Sequence, residues 1–453
     1  MNRASWVIVA VLGFCVAFVP PPLCRAQNQS SAIEPAPSEI SQRMQELEKQ
    51  VSDLRSELAA LKQNDSMASN TKTPTPTEVP QSNLVTTAPA TTSPTPAMSI
   101  ASLLGPTSVS GFVDTYYNYN SNQPSSRTNG FRSFDVASNQ FALNLVELVV
   151  DKTPDPANSR TGYHIALGFG QAINAVNGSD PGGLGFDQYL KEAYFSYLAP
   201  VGKGLQIDAG KFVTPHGAEV IETKDDWNYS RDLLFSYAIP YFHYGLRAKY
   251  AFNDKYSVTG FVVNGWNNIV ENNTGKTYGA SFGWNPTKKV GFIQNYMAGP
   301  EQTNDNSNWR QLWDTVITYS PTSKLSFTVN GDYGRGDHPI LATSPTLIFG
   351  PKPVFWTGVA AYVKYALNDK YTVVSRYEYY DDHDGFTTGT PQHFNGITGT
   401  FQRMIASHIM SRLEFRRDMS NLPTFVKGNG LPVTAQNTMT AGVVFMFDSR
   451  EAR

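Results

Sequence analysis

Charged residues set two positions apart, with apolar or aromatic residues between them, are the chain's main candidates for chemistry. Arg247 and Lys249 alternate with Leu246, Ala248 and Tyr250. Arg376 and Glu378 alternate with Ser375, Tyr377 and Tyr379. Arg412, Glu414 and Arg416 do the same within Ile409–Arg417. In a strand, successive side chains point to opposite faces, so each set of charges shares one face. The chemistry such a face offers is electrostatic. It is a basic wall that steers anions, or one side of a transverse field. The competing reading is that the arginines pair with Glu378 and Glu414 and only brace a polar wall. A second group is acidic: Glu219, Glu222, Asp225 and Asp226, all within the long segment 214–241. Facing a basic wall across a narrow mouth, these acids would orient polar solutes and reject apolar ones. On an outer rim they would only be solvated or bind divalent ions.

Enzyme chemistry finds little support in the residues. The seven histidines fall into no metal-ligand spacing. There is no nucleophile elbow and no phosphate loop. Asp381-Asp382-His383-Asp384-Gly385 resembles part of a calcium loop but lacks the full pattern, and reads as a solvated turn. Arg335-Gly336-Asp337 is too short to signify adhesion. No cofactor, metal or catalytic residue is expected. A formal charge of -2 provides no basic field for nucleic acid.

The elements that must position these charges are strands. Leu325-Ser326-Phe327-Thr328-Val329-Asn330-Gly331-Asp332-Tyr333 is the clearest of many alternating stretches between about residues 109 and 447. Only 16% of the 453 residues are charged and 12% are aromatic. Mean hydropathy is -0.32, and no stretch beyond the N-terminus reaches the ~18 apolar residues of a membrane helix. The economical reading is all-β: a closed transmembrane antiparallel barrel of about sixteen strands, apolar outside and polar within.

Turn lengths orient that barrel. Short turns are expected at 200–204, 253–254, 285–288, 320–323 and 368–369. Long loops are expected at about 120–137, 171–186, 214–241, 266–275, 299–310, 335–353, 381–394 and 418–437. Short turns face the periplasm and long loops face outward. Tyr250-Ala251-Phe252-Asn253-Asp254-Lys255-Tyr256 nearly repeats as Tyr365-Ala366-Leu367-Asn368-Asp369-Lys370-Tyr371. Each sets aromatic rings at headgroup level beside a polar turn. The final strand, Thr438 to Phe447, is aromatic-ended, with 448–453 as a tail.

The N-terminal quarter reads differently. Residues 1–26 form an expected signal peptide: Arg3, an apolar run from Trp6 to Val19, and Cys24-Arg25-Ala26 before the cut at Gln27. Lipidation at Cys24 is the alternative, but Leu23 precedes it where a small residue is required. Cys15 and Cys24 are the chain's two cysteines, so the mature protein would hold no disulfide or thiol site. Residues 38–62 place Ile40, Met44, Leu47, Val51, Leu54, Leu58 and Leu61 on an a/d seam. This predicts a short periplasmic coiled coil that joins copies into a homo-oligomer, a trimer being one option. The alternative is an amphipathic helix lying on its own barrel. Residues 63–108 are a Thr/Pro/Ser-rich linker, as in Thr73-Pro74-Thr75-Pro76.

Gly210-Lys211-Phe212-Val213-Thr214-Pro215-His216-Gly217-Ala218-Glu219-Val220-Ile221-Glu222 is followed by Tyr229-Ser230-Arg231 and Pro240-Tyr241-Phe242-His243-Tyr244-Gly245. Val263-Asn264-Gly265-Trp266-Asn267 and Ser411-Arg412-Leu413-Glu414-Phe415-Arg416-Arg417-Asp418 come later. Together these resemble the OmpL-like putative β-barrel porin family of Gram-negative bacteria over roughly 110–447. The resemblance implies an outer-membrane barrel in contact with outer-membrane lipid, and a channel. It names no substrate. In general porins the third loop folds inward and sets the constriction, a role that would fall here to 214–241. The expected function is passive diffusion of small hydrophilic solutes. The alternative is a structural or adhesive barrel that tethers the envelope through its coiled coil.

Overall fold

The computed structural model describes residues 105–180, 187–337 and 352–451. The expected signal peptide, the coiled coil and nearly all of the linker lie outside the described residues. The alternating stretches form β1 (Ser108–Asn120), β2 (Gln140–Lys152), β3 (Thr161–Phe169), β4 (Leu190–Ala199) and β5 (Leu205–Val213). They continue as β6 (Phe242–Ala251), β7 (Tyr256–Val263), β8 (Thr277–Thr287), β9 (Val290–Gln302) and β10 (Asp305–Tyr319). β11 (Leu325–Gly336), β12 (Val354–Ala366), β13 (Tyr371–Asp382), β14 (Gln392–Ala406) and β15 (Ile409–Ser420) follow, before the last strand, Ala435–Asp448. Each pairs antiparallel with its neighbours, and the last strand closes on β1 with Gly111 opposite Phe447 and Tyr119 opposite Met439. The result is a closed barrel of sixteen strands. Closure leaves no unpaired edge, the condition for strands in hydrocarbon.

Period two sorts the side chains. Leu246, Phe282, Tyr377, Ile397, Leu413, Phe415, Val443 and Phe445 are exposed on the outer face. Asp114, Asn118, Asn295, Asp314, Asn330, Arg376 and Glu414 are buried on the inner one. Turn chemistry follows the near-repeat. Asn253 Oδ1 accepts from the Lys255 and Tyr256 amides, and Asn368 Oδ1 accepts from those of Lys370 and Tyr371. In both turns an Asn side chain replaces a missing backbone acceptor.

Two expected boundaries are corrected. The segment 299–310 is not a long loop: β9 and β10 continue through it and turn at Thr303-Asn304, with Asn304 at φ 58°. Asn tolerates this left-handed conformation better than most residues. Likewise β8 runs to Thr287 past an irregularity after Trp284, so the turn is shorter than 285–288. The loop after β3 carries a short helix, α1 (Gln171–Asn177), and the loop after β15 a minor hairpin pairing Phe425 with Val433.

The apolar core lies inside the barrel, around the segment 214–241. Leu234, Phe235, Ala238 and Ile239 sit in a single π-helical turn and its exit. They join Phe134, Trp356, Tyr380 and Phe394 in one buried cluster. Each large side chain removed from water in this way contributes about 1.5–3 kcal/mol. Two inner-wall glycines permit the approach. A Cβ on Gly442 would collide with the Tyr229 ring, and one on Gly358 with Leu234.

Candidate functional site

Segment 214–241 enters the barrel directly from β5. The Gly217 amide donates to Asp314 Oδ1 (2.9 Å) and the Ala218 amide to Asn330 Oδ1 (3.0 Å), on β10 and β11. On the other side Asp114 of β1 accepts from the Tyr229 hydroxyl (2.8 Å) and the Thr223 hydroxyl (2.7 Å). The segment therefore crosses the lumen and is pinned to both walls.

Its firmest anchors are charged residues expected on the inner face. Glu414 accepts the Tyr229 amide at 2.6 Å and the Ser230 amide at 3.0 Å. Arg412 donates to the carbonyls of Thr223, Asp226 and Asn228. Arg376 reaches Glu219 Oε1 (2.8 Å) and the Ser230 carbonyl (2.6 Å), and lies 3.2 Å from Glu378 Oε1. Arg416 meets the same Glu378 oxygen at 3.1 Å, Asp418 at 2.7 Å, and the Arg231 carbonyl. Glu378 also accepts the Leu233 amide (2.6 Å). All five strand residues are at most 4% exposed. Arg376 and Arg416 pair with Glu378, as the bracing alternative has it, whereas Glu414 meets loop amides and no arginine, so these residues hold the loop as well as the wall. A buried pair of this kind adds little over an apolar contact, but removing one partner costs about 3–5 kcal/mol.

The four acids of the loop separate by environment. Glu219 is buried, accepting the Asp232 amide and the Tyr362 hydroxyl besides Arg376. Asp226 is buried against Arg231 at 3.0 Å and accepts the Val220 amide. Glu222 is mostly buried and meets Lys191. Only Asp225 is open, paired with its neighbour Lys224. Burial pushes the Asp226 carboxyl well above the ordinary range, with Arg231 acting against it. Burial does the same at Asp232, reinforced by Glu219.

Arg247 and Lys249 differ from the other basic residues. Both reach Asp208 Oδ2, at 2.7 Å and 3.2 Å, and neither touches the loop backbone. The Arg247 guanidinium lies over the rings of Phe212 (4.4 Å) and Tyr194 (4.8 Å). The Lys249 side chain is 39% exposed. On this stretch of inner wall Thr259 and Ser281 are half-buried and Thr318 is exposed, so the loop leaves it uncovered.

Other residues of the site carried no sequence signal as charged triplets. Asp114, Asp314 and Asn330 obey the alternation and could have been placed inward by it, whereas Asn144 turns inward at a register break in β2 that alternation does not show. Arg132 and Arg231 come from loops, where no periodicity applies. Arg132 joins Asp135 and Asp418 (2.5 and 2.6 Å) and ties the first loop to β15. Among the described residues no cluster of His, Cys, Asp and Glu is fit to hold a metal ion.

A closed antiparallel barrel with an apolar outer face, a polar inner wall and a loop anchored across its lumen defines the outer-membrane barrels of porin type. The chain belongs to the family described as Putative beta-barrel porin-2, OmpL-like, whose pattern matches residues 106–447. No curated protein matches it. Similar solved structures include the anion-selective porin from Comamonas acidovorans, at 8% identity and a TM-score of 0.49, covering 75% of this chain and 99% of that one. The trimer form of OmpT from Vibrio cholerae gives 13% identity and 0.49, with 75% and 99% covered. The outer membrane channel DcaP of Acinetobacter baumannii gives 10% and 0.47, with 75% and 97% covered.

Proposed function

We propose that this protein is a passive diffusion channel for small hydrophilic solutes in the Gram-negative outer membrane. The observation that carries the reading is the loop 214–241, held inside the lumen by Arg376, Arg412, Glu414 and Arg416. A porin needs a fixed constriction, and a loop with this many wall contacts cannot swing in and out with each solute. The open path runs along the short-turn half of the β6–β10 wall, where Arg247 and Lys249 line the lumen below the loop anchors at Asn295 and Asp314. Arg376, Glu378, Arg412, Glu414 and Arg416 hold the constriction without meeting the permeant ions. Residues 38–62 join copies through their heptads.

Planar-bilayer recording of the refolded full chain tests this. Discrete channel events are expected, and deletion of residues 218–234 raises their conductance. Absence of events in the intact protein would overturn the channel reading and favour an envelope tether. Loss of oligomers on deleting 38–62, with the barrel still folded, tests the heptads. Unchanged size in mild detergent would remove them as the joint.

A further inference from the structure

Arg310, near the loop end of β10, is placed unlike the other interior arginines. Its guanidinium lies between two aromatic rings, 5.0 Å from the centroid of Trp266 and 5.0 Å from that of Phe386. It forms no hydrogen bond or ion pair with any described residue. Its cross-strand neighbours, Gly299 and Gly336, have no side chains to crowd it. Two rings therefore flank the guanidinium while its N–H groups make no hydrogen bond.

Arg310 lines a cavity of about 1020 Å³ at the loop end of the barrel. Pockets that bind small molecules run to ~300–1,000 Å³ and combine apolar walls with a few convergent polar groups. Here the walls are aromatic. Trp266 and Trp356 meet edge to face at 6.2 Å, Trp356 stacks on Phe386 at 5.4 Å, and Tyr237 closes the loop side. The walls are also held in place. The Trp356 indole N–H donates to the Ala238 carbonyl (3.1 Å), and the Trp266 amide donates to Glu301 Oε2 (2.8 Å). Glu301 is occupied further by the Thr277 hydroxyl (2.6 Å), and it attracts Arg310 electrostatically without forming an ion pair with it.

We propose that this cavity is a solute-binding vestibule for aromatic monocarboxylates. The carboxylate would take the paired N–H edges of Arg310 in the bidentate geometry that guanidinium favours. The flat apolar body would stack against Trp266 and Tyr237, with the buried Trp356 backing the wall behind them. The nearby charge of Glu301 restricts the ligand to a single negative charge. The proposal deepens the channel reading by naming a solute class, and rests on that reading for the solute's passage.

Isothermal titration of benzoate into the detergent-folded full chain tests the site without requiring conduction. Benzoate is expected to saturate one site. Benzamide lacks the charge and acetate lacks the ring, so each should bind about tenfold more weakly or worse. Arg310→Gln should weaken benzoate about tenfold with the barrel still heat-modifiable on gels. No benzoate binding, benzamide or acetate equal to benzoate, or an unaffected Arg310→Gln protein would overturn the proposal. Channel events without benzoate binding sink this inference alone. Benzoate binding without channel events sinks the diffusion reading and leaves the site.

Discussion

Arg376 and Arg310 both sit on inner strand faces, and they do opposite things. Arg376 donates to a glutamate, to backbone and side-chain oxygens of Ser230, and to Thr398. Arg310 touches two rings and no acceptor. A guanidinium has five donors. Where the protein takes most of them, as at both terminal nitrogens of Arg376, the residue is structure. Where it flanks the group with rings and offers no acceptor, the residue is available to a ligand. The β6–β10 wall falls between the two cases, because Asp208 answers Arg247 and Lys249 while leaving Lys249 partly in water.

The comparison breaks most readily at the brace. Arg376→Ala leaves Glu219 and Glu378 buried with one partner fewer and should destabilise the docked loop by about 3–5 kcal/mol. Limited proteolysis should cut within 218–234, and single-channel conductance should rise and become noisy. A protected loop and unchanged conductance would show that the brace is redundant.

Gly442→Ala attacks the same dock from the side of the wall. The new methyl meets the Tyr229 ring and should cost about 1–3 kcal/mol through overpacking. The melting temperature should fall, and the Tyr229 hydroxyl should loosen from Asp114. Tyr229→Phe in the Gly442 background separates the two effects, since it removes the hydrogen bond without adding volume.

Lys249→Glu probes the open wall. It should move the reversal potential toward cation selectivity, most at low salt, because a charge in water is screened over about 8–10 Å under physiological conditions. Stability should fall modestly, because the new carboxylate faces the buried Asp208 while Arg247 remains its partner. The same reversal at Arg412 should act chiefly through loop release, seen as altered conductance. If Lys249→Glu leaves selectivity untouched, the permeant path avoids this wall.

The smallest effect is expected at Asp225. Its partner Lys224 is half-buried, and pairs open to water on one side contribute about 0–1 kcal/mol. Asp225→Asn should leave the melting temperature within error. A drop comparable to that of Gly442→Ala would mean that Asp225 holds a contact the folded loop does not reveal.

Legibility in the sequence followed range of interaction. Strand identity, inner and outer faces and the asymmetry of turns come from neighbours one to four residues apart. The near-repeat at Asn253 and Asn368 shows this: the same local words produce the same Asn-capped turn. The boundary at 299–310 was misjudged because Gly299, Pro300 and Asn304 read as loop residues, while pairing of Arg310 with Gly299 continues the ladder through them. The inner position of Arg412 was legible. That its donors end on the carbonyls of Thr223, Asp226 and Asn228 was not, because those groups lie about 185 residues away along the chain.

By itself, then, the sequence determined a barrel with a polar interior, since alternation is a local property that every strand writes for itself. Tertiary structure decided which interior charges are spent on the loop, which face water, and which stand between aromatic rings with their donors unused. That division depends on where the loop 214–241 comes to rest. Its resting place is set jointly by Asp114, Asp314, Asn330, Glu378 and Glu414, on strands far apart in the chain. No window of the sequence contains those strands together; only closure of the barrel brings them to one lumen.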